Sequence, residues 1–109
     1  MQTTSQTDTV TVKITANDRG NPPGKLADAE LHFTDGPLAG LKLIGFAIWE
    51  RRGGNSRNVT FPARQYSING ERRSFALLRP IVDATAQSKL RELILGAFQE
   101  YEERAAIAG

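Results

Sequence analysis

The sequence predicts an α+β domain, a twisted antiparallel sheet of about five strands with one C-terminal amphipathic helix packed on one face. Three observations lead there. Apolar residues recur at every second position through much of residues 9–50, the period of a half-buried strand. Two further β-like runs flank Asn69-Gly70, a pair that suits a two-residue hairpin because both central positions of a type I′ turn need positive φ. The last quarter of the chain changes to spacings of three and four, the period of a helix.

Each element follows from its residues. Met1 to Asp8 is polar with nothing to bury and reads as a disordered tail, leaving residues 9–109 as a single domain. Thr9 to Ala16 sets Val10, Val12, Ile14 and Ala16 against threonines and Lys13. Residues 17–24, with two prolines and two glycines, form a loop. Leu26 to Thr34 alternates Ala27, Ala29, Leu31 and Phe33 with Asp28, Glu30, His32 and Thr34, and Asp35-Gly36-Pro37 ends it. Leu41 to Glu50 is apolar on both faces, with Leu41, Leu43, Ala47 and Trp49 on one and Ile44, Phe46 and Ile48 on the other. Such a strand is central and covered twice, with Trp49 and Phe46 in the core. The helix supplies one cover; a second copy of the chain is the expected source of the other, hence a homodimer. Gly45 marks a bulge or a close backbone approach.

Arg51 to Ser56 is a glycine-rich connection. Arg57 to Ile68 and Glu71 to Leu78 form the hairpin, and a two-residue turn pairs Ile68 with Glu71, Tyr66 with Arg73 and Arg64 with Phe75. Pro62 cannot donate to a ladder, so its strand lies at an edge or is bulged there. Asp83 or Thr85 can cap the final helix. Its apolar stripe is Ala86, Leu90, Leu93, Ile94, Ala97, Phe98, Tyr101 and Ala105.

Composition narrows the functional classes. A chain of 109 residues is long enough for one modest core. It has no cysteine, which excludes disulfides, thiolate metal sites and a cysteine nucleophile. No apolar run reaches the roughly 18 residues of a membrane helix, and Met1 to Asp8 lacks the pattern of a secretory signal, so the expected location is cytoplasmic with no membrane partner. The net charge of +2 is unevenly spread. Residues 42–79 hold eight Lys or Arg against two Glu, whereas the segments on either side are each net acidic. Seven of those eight cations are arginines, whose planar fork of donors suits phosphate and stacks on bases.

Few residues suggest catalysis. His32, the single histidine, falls on a polar strand face beside Asp28 and Glu30, as a surface histidine does; one histidine with alternate carboxylates is a weak metal set. Glu50 and Glu71 sit next to turns, where nothing tunes a carboxylate for acid–base work. There is no nucleophile elbow, Walker loop or dinucleotide fingerprint, and Gly53-Gly54 lacks a following Lys-Ser/Thr. The expectation is no enzyme, no cofactor, no metal and no small-molecule substrate. The basic and aromatic set is the stronger candidate. Arg64, Tyr66 and Arg73 share a hairpin face, and Arg51, Arg52 and Arg57 lie at the other end of the first hairpin strand. The arginines can neutralise phosphates while Tyr66 stacks on a base. Alternatively, Arg64 and Arg73 cover the Tyr66 ring and point to solvent.

From Leu43 to Tyr101 the chain carries a strand ending Ile48-Trp49-Glu50, a run from Val59 through Pro62 to a small and a basic residue, the Gly70 turn, Pro80-Ile81, and a helix with Leu90, Ile94, Leu95 and Tyr101. In these features it resembles the stage V sporulation protein G family, small bacterial nucleic-acid-binding proteins. The resemblance implies a small antiparallel sheet with a C-terminal helix, homodimerisation, and site-tolerant binding of DNA or RNA in gene regulation. By position it adds Lys89 and Arg91 to Arg64 as nucleic-acid contacts. The chain departs from the family in having Arg79 where a histidine precedes the Pro-Ile pair, in its proline-rich loop at 17–24, and in an acidic helix end with Glu100, Glu102 and Glu103.

The leading expectation is therefore a cytoplasmic regulator that binds DNA or RNA with low specificity. Its phosphate contacts are Arg51, Arg52, Arg57, Arg64, Arg72, Arg73, Lys89 and Arg91, with Tyr66 stacking. The alternative is a protein-interaction or assembly module without nucleic-acid binding or catalysis. Arginines gathered on one patch favour the first; arginines dispersed and paired with carboxylates favour the second.

Overall fold

The alternating segments become strands β1 (Val10–Ala16), β2 (Lys25–Phe33) and β3 (Lys42–Glu50), followed by β4 (Arg57–Thr60), β5 (Ala63–Ile68), β6 (Glu71–Ala76) and helix α1 (Thr85–Ala108) in a computed structural model. The structure describes residues 9–51 and 56–108; the expected tail at 1–8 and Arg52 to Asn55 of the glycine-rich connection lie outside them. The fold is α+β, as the sequence predicts. The strands form two antiparallel sheets, one ordered β1-β2-β3-β4 and one made of β5 and β6 alone.

The division into two sheets replaces the expected single sheet of about five strands. The run from Arg57 to Ile68 is not one strand. It breaks at Phe61-Pro62, where the proline has no N–H to give the ladder. Pro62 is buried against β3 at Gly45, whose φ is +107°. A β-carbon on Gly45 would stand 2.9 Å from the Pro62 β-carbon, closer than real side chains approach. Glycine is thus required there by both its backbone conformation and its neighbour.

Gly45 also changes which way β3 faces. Ala29 pairs with Phe46, but Leu31 pairs with Leu43, so β3 holds an extra residue between them. Leu43 is thereby turned to the same side as Phe46 and Ile48, while Ile44 lies exposed. This corrects the expected division of the strand. Leu43 joins the core side, and the outer side carries Ile44, Ala47 and Trp49. Trp49 is half-buried there instead of in the core, and its indole N–H donates to Thr60 Oγ1 at 2.9 Å.

The core lies between the inner face of the four-stranded sheet and α1. It contains Ala27, Ala29 and Leu31 of β2, Phe46 and Ile48 of β3, Val59 of β4, and Ile94 and Phe98 of the helix. The alanines of β2 let the helix approach; Val10, Val12, Ile14, Leu90 and Leu95 close the margins. The expected stripe of α1 holds at Leu90, Ile94 and Phe98. Past Phe98 the sheet no longer covers it, and residues 101–107 are exposed. The helix begins with Thr85 N–H donating to Asp83 Oδ1 at 2.9 Å, a side-chain cap; the Thr85 side-chain hydroxyl, and after it this backbone bond, hold the Asp83 carboxyl below its ordinary value of 3.8.

Gly45→Ala is expected to destabilise the fold by about 1–3 kcal/mol, from backbone strain and collision with Pro62. Gly96→Ala, in a helical site with open space around the new methyl, is expected to stabilise it by about 0.5–1 kcal/mol. Chemical denaturation measures both, and a neutral Gly45→Ala overturns the assigned role of the close approach. The cap contributes stability above pH 3.8, lost as the pH falls through the depressed value of Asp83. Asp83→Asn keeps a capping oxygen without a titrating charge, so its denaturation midpoint is expected to fall less steeply with acid.

Candidate nucleic-acid interface

The β5–β6 hairpin stands apart from the core. Every residue of both strands is exposed. Its turn is the one the sequence demands, with Asn69 at φ +53° and Gly70 at φ +79°. The register pairs Ile68 with Glu71, Tyr66 with Arg73 and Arg64 with Phe75, as expected from a two-residue turn. The ribbon's faces therefore differ in chemistry. One holds Arg64, Tyr66, Ile68, Glu71, Arg73 and Phe75. The other holds Ala63, Gln65, Ser67, Arg72, Ser74 and Ala76. Arg72 and Arg73 consequently point to opposite sides.

The ribbon is tied to the body at one end. Leu77 N–H donates to the Pro62 carbonyl at 3.0 Å, continuing the ladder for one step. Arg79 Nε donates to the Ala76 carbonyl at 2.9 Å, and its guanidinium lies over the Phe75 ring, 4.1 Å from the centroid. Arg79 was not among the residues chosen from the sequence, although its alternation with Phe75 and Leu77 was visible there. Arg73 Nη2 is 2.6 Å from Glu71 Oε1, two residues away on the same face. Among the described residues neither Arg64 nor Arg72 has an ion-pair partner, so both guanidiniums are open to an external anion.

Among the described residues, the other sequence-chosen cations lie outside this ribbon. Arg57 Nη2 pairs with Glu102 Oε2 at 2.7 Å, and its guanidinium sits over Phe98, 5.7 Å from the centroid. Its Nε is buried without a hydrogen-bond partner. Arg57 therefore fastens β4 to α1, a role hidden from the sequence because Glu102 lies 45 positions away. Arg91 is half-buried over the Phe61 ring, 5.6 Å from the centroid. Lys89 is exposed on the helix, and Arg51 is exposed at the end of β3, where its N–H donates to the Ser56 carbonyl. Arg52 lies outside the described residues.

A second polar cluster occupies the outer face of the sheet. His32 Nε2 lies 2.7 Å from Glu30 Oε1, and Lys42 Nζ is 3.4 Å from the same oxygen. The His32 contact, with Lys42 beside it, holds the Glu30 carboxyl below its ordinary value against the opposing effect of desolvation. Lys25 Nζ neutralises Asp28 at 2.6 Å. A shallow cleft of about 340 Å³ reaches this cluster between Thr15, Asp28, Glu30, Ile44 and Gly45. Each carboxylate already has a cation beside it. Among the described residues there is no group of three or more His, Cys, Asp or Glu side chains that could hold a metal ion. Nor is any helix among them long and apolar enough to cross a membrane.

No family model matches the chain, and no curated protein or solved structure is significantly similar to it.

Replacing Arg57 separates its two contacts. Glu102→Gln is expected to cost less than about 1 kcal/mol, as for a partly exposed ion pair. Arg57→Ala is expected to cost more, because it also uncovers Phe98. Equal denaturation midpoints for the two variants would remove the packing role of the guanidinium.

Proposed function

We propose that the protein is a sequence-tolerant nucleic-acid-binding regulator acting in the cytoplasm, with the β5–β6 ribbon as its contact element. One observation carries this reading. Arg64, Arg72 and Arg73 are concentrated on a fully exposed two-stranded arm, with Arg79 at its base, against a single carboxylate on the arm, Glu71. The arm is about 20 Å long at the usual rise per residue. Arginines on both of its sides reach phosphates along that length, and its open, exposed faces favour contacts to the sugar-phosphate backbone over base identity. The α+β arrangement, with a hairpin followed by a C-terminal helix, suits the resemblance to the sporulation protein G family. In this reading Arg57 maintains the fold, and Arg51, Lys89 and Arg91 lie outside the central contact. No catalytic step is part of the proposal.

The regulator is further proposed to act as a homodimer. Leu38, Leu41 and Ile44 are exposed around the start of β3, and Ile107 is exposed near the end of α1. These groups offer the apolar surface that a second copy would cover. Light scattering at micromolar concentration is expected to give twice the chain mass, and a monomer would overturn this part of the reading.

The second reading is a protein-interaction module. It is favoured by the pairing of Arg57 with Glu102 and of Arg73 with Glu71, which spends part of the positive charge internally. Fluorescence anisotropy with labelled random oligonucleotides at two salt concentrations separates the two. The regulator is expected to bind at low salt and to weaken steeply as salt rises. Arg64→Ala with Arg73→Ala is expected to lower affinity for all sequences and to reduce the salt slope by about two. Unchanged binding by the double variant would displace the site, and no binding at low salt would leave the interaction module.

A further inference from the structure

The two faces of the ribbon differ in one respect that phosphate neutralisation does not use. All of its aromatic groups lie on one side. Tyr66 and Phe75 are diagonal neighbours in the ladder, with Arg73 opposite Tyr66 and Arg64 opposite Phe75. Rings and guanidiniums thus alternate like the squares of a board. Tyr66 is 39 % exposed, Phe75 47 % and Ile68 49 %, values reached by no aromatic residue of the core. Arg79 already stacks a planar cation on Phe75. Among the described residues the Tyr66 ring has no hydrogen bond, ring contact or cation over it.

We propose that the Tyr66 face is a stacking platform for unpaired bases, so that the nucleic acid recognised is single-stranded. The inference rests on the nucleic-acid reading above and deepens it. A duplex hides the faces of its bases, and exposed rings on a ribbon gain nothing from it. A single strand offers both base faces and backbone phosphates. Diagonal neighbours across a ladder stand about 7–8 Å apart, within reach of each other's aromatic side chains. A base stacked on Tyr66 would therefore lie beside Phe75, with Arg64 and Arg73 placed to meet the neighbouring phosphates. Stacking of this kind tolerates any base, as the proposed low specificity requires. The opposite face has no ring, and Gln65 Nε2 donates to Ser74 Oγ at 3.3 Å, so part of its polar surface is turned inward. A second copy of the chain is a poorer occupant of the aromatic face. The centres of protein interfaces are depleted of charge, whereas here an arginine stands beside every ring.

The test compares a labelled 20-nucleotide oligo-dT with its duplex with oligo-dA by anisotropy at the same low salt. The single strand is expected to bind at least about tenfold more tightly. Tyr66→Ala is expected to weaken the single strand by about 5- to 100-fold and the duplex less than about twofold, with the salt slope unchanged. Tyr66→Phe retains a ring and is expected to restore binding. Circular dichroism confirms that each variant is folded; the position is exposed. Equal affinity for both forms, or a folded Tyr66→Ala that binds the single strand like the parent, overturns the platform and leaves the arginine contacts standing. No binding of either form removes both the platform and the reading on which it rests.

Discussion

Pro62 lies so close to the backbone of Gly45 that no other residue fits there, and the rest of the architecture follows from that approach. On one side, Gly45 introduces a bulge that turns Leu43 toward the core and leaves Ile44 outside. On the other, Pro62 ends β4 after four residues and starts β5 in a new direction, outside the first sheet. An uninterrupted strand from Arg57 to Ile68 would have kept the hairpin within the sheet. Instead the chain builds a covered four-stranded sheet and an uncovered ribbon, joined where a proline meets a glycine.

The two parts are held by different forces. The body depends on apolar burial around Phe46, Ile48 and Ile94, supported at one edge by Arg57 bridging β4 to α1. The ribbon depends on its ladder, its type I′ turn and the Arg79–Phe75 stack. Its side chains are therefore free to meet a ligand. The core supports the ribbon but shares no residue with its faces.

Much of this was legible in the sequence. The alternation of β1 and β2, the hairpin register set by Asn69-Gly70, and the helix stripe at Leu90, Ile94 and Phe98 are local patterns, and they appear where local physics puts them. The special roles of Gly45 and Pro62 were readable singly, as a bulge and a ladder defect. That each is the other's cause was not, because the contact spans 17 positions of chain. The faces of β3 were misassigned because a single extra residue reverses alternation on one side of it. Arg57 looked like any other arginine of the basic segment until the fold brought Glu102 to it. Of the candidate site, Arg64, Tyr66 and Arg73 share a face as the pattern implied. The separation of Arg57 onto another strand follows from the break at Pro62, which no periodicity encodes.

The exposed ladder of β5 and β6 has a thermodynamic consequence. A hairpin whose residues are all exposed can melt while the sheet and helix remain intact, since two strands alone are only marginally stable in water. The molecule is then two cooperative units of unequal depth. Amide protons of the ribbon exchange through small local openings, while those of β2 and β3 await global unfolding. A ligand bound to the ribbon deepens the shallow unit alone. It slows exchange there and leaves the melting of the body nearly unchanged.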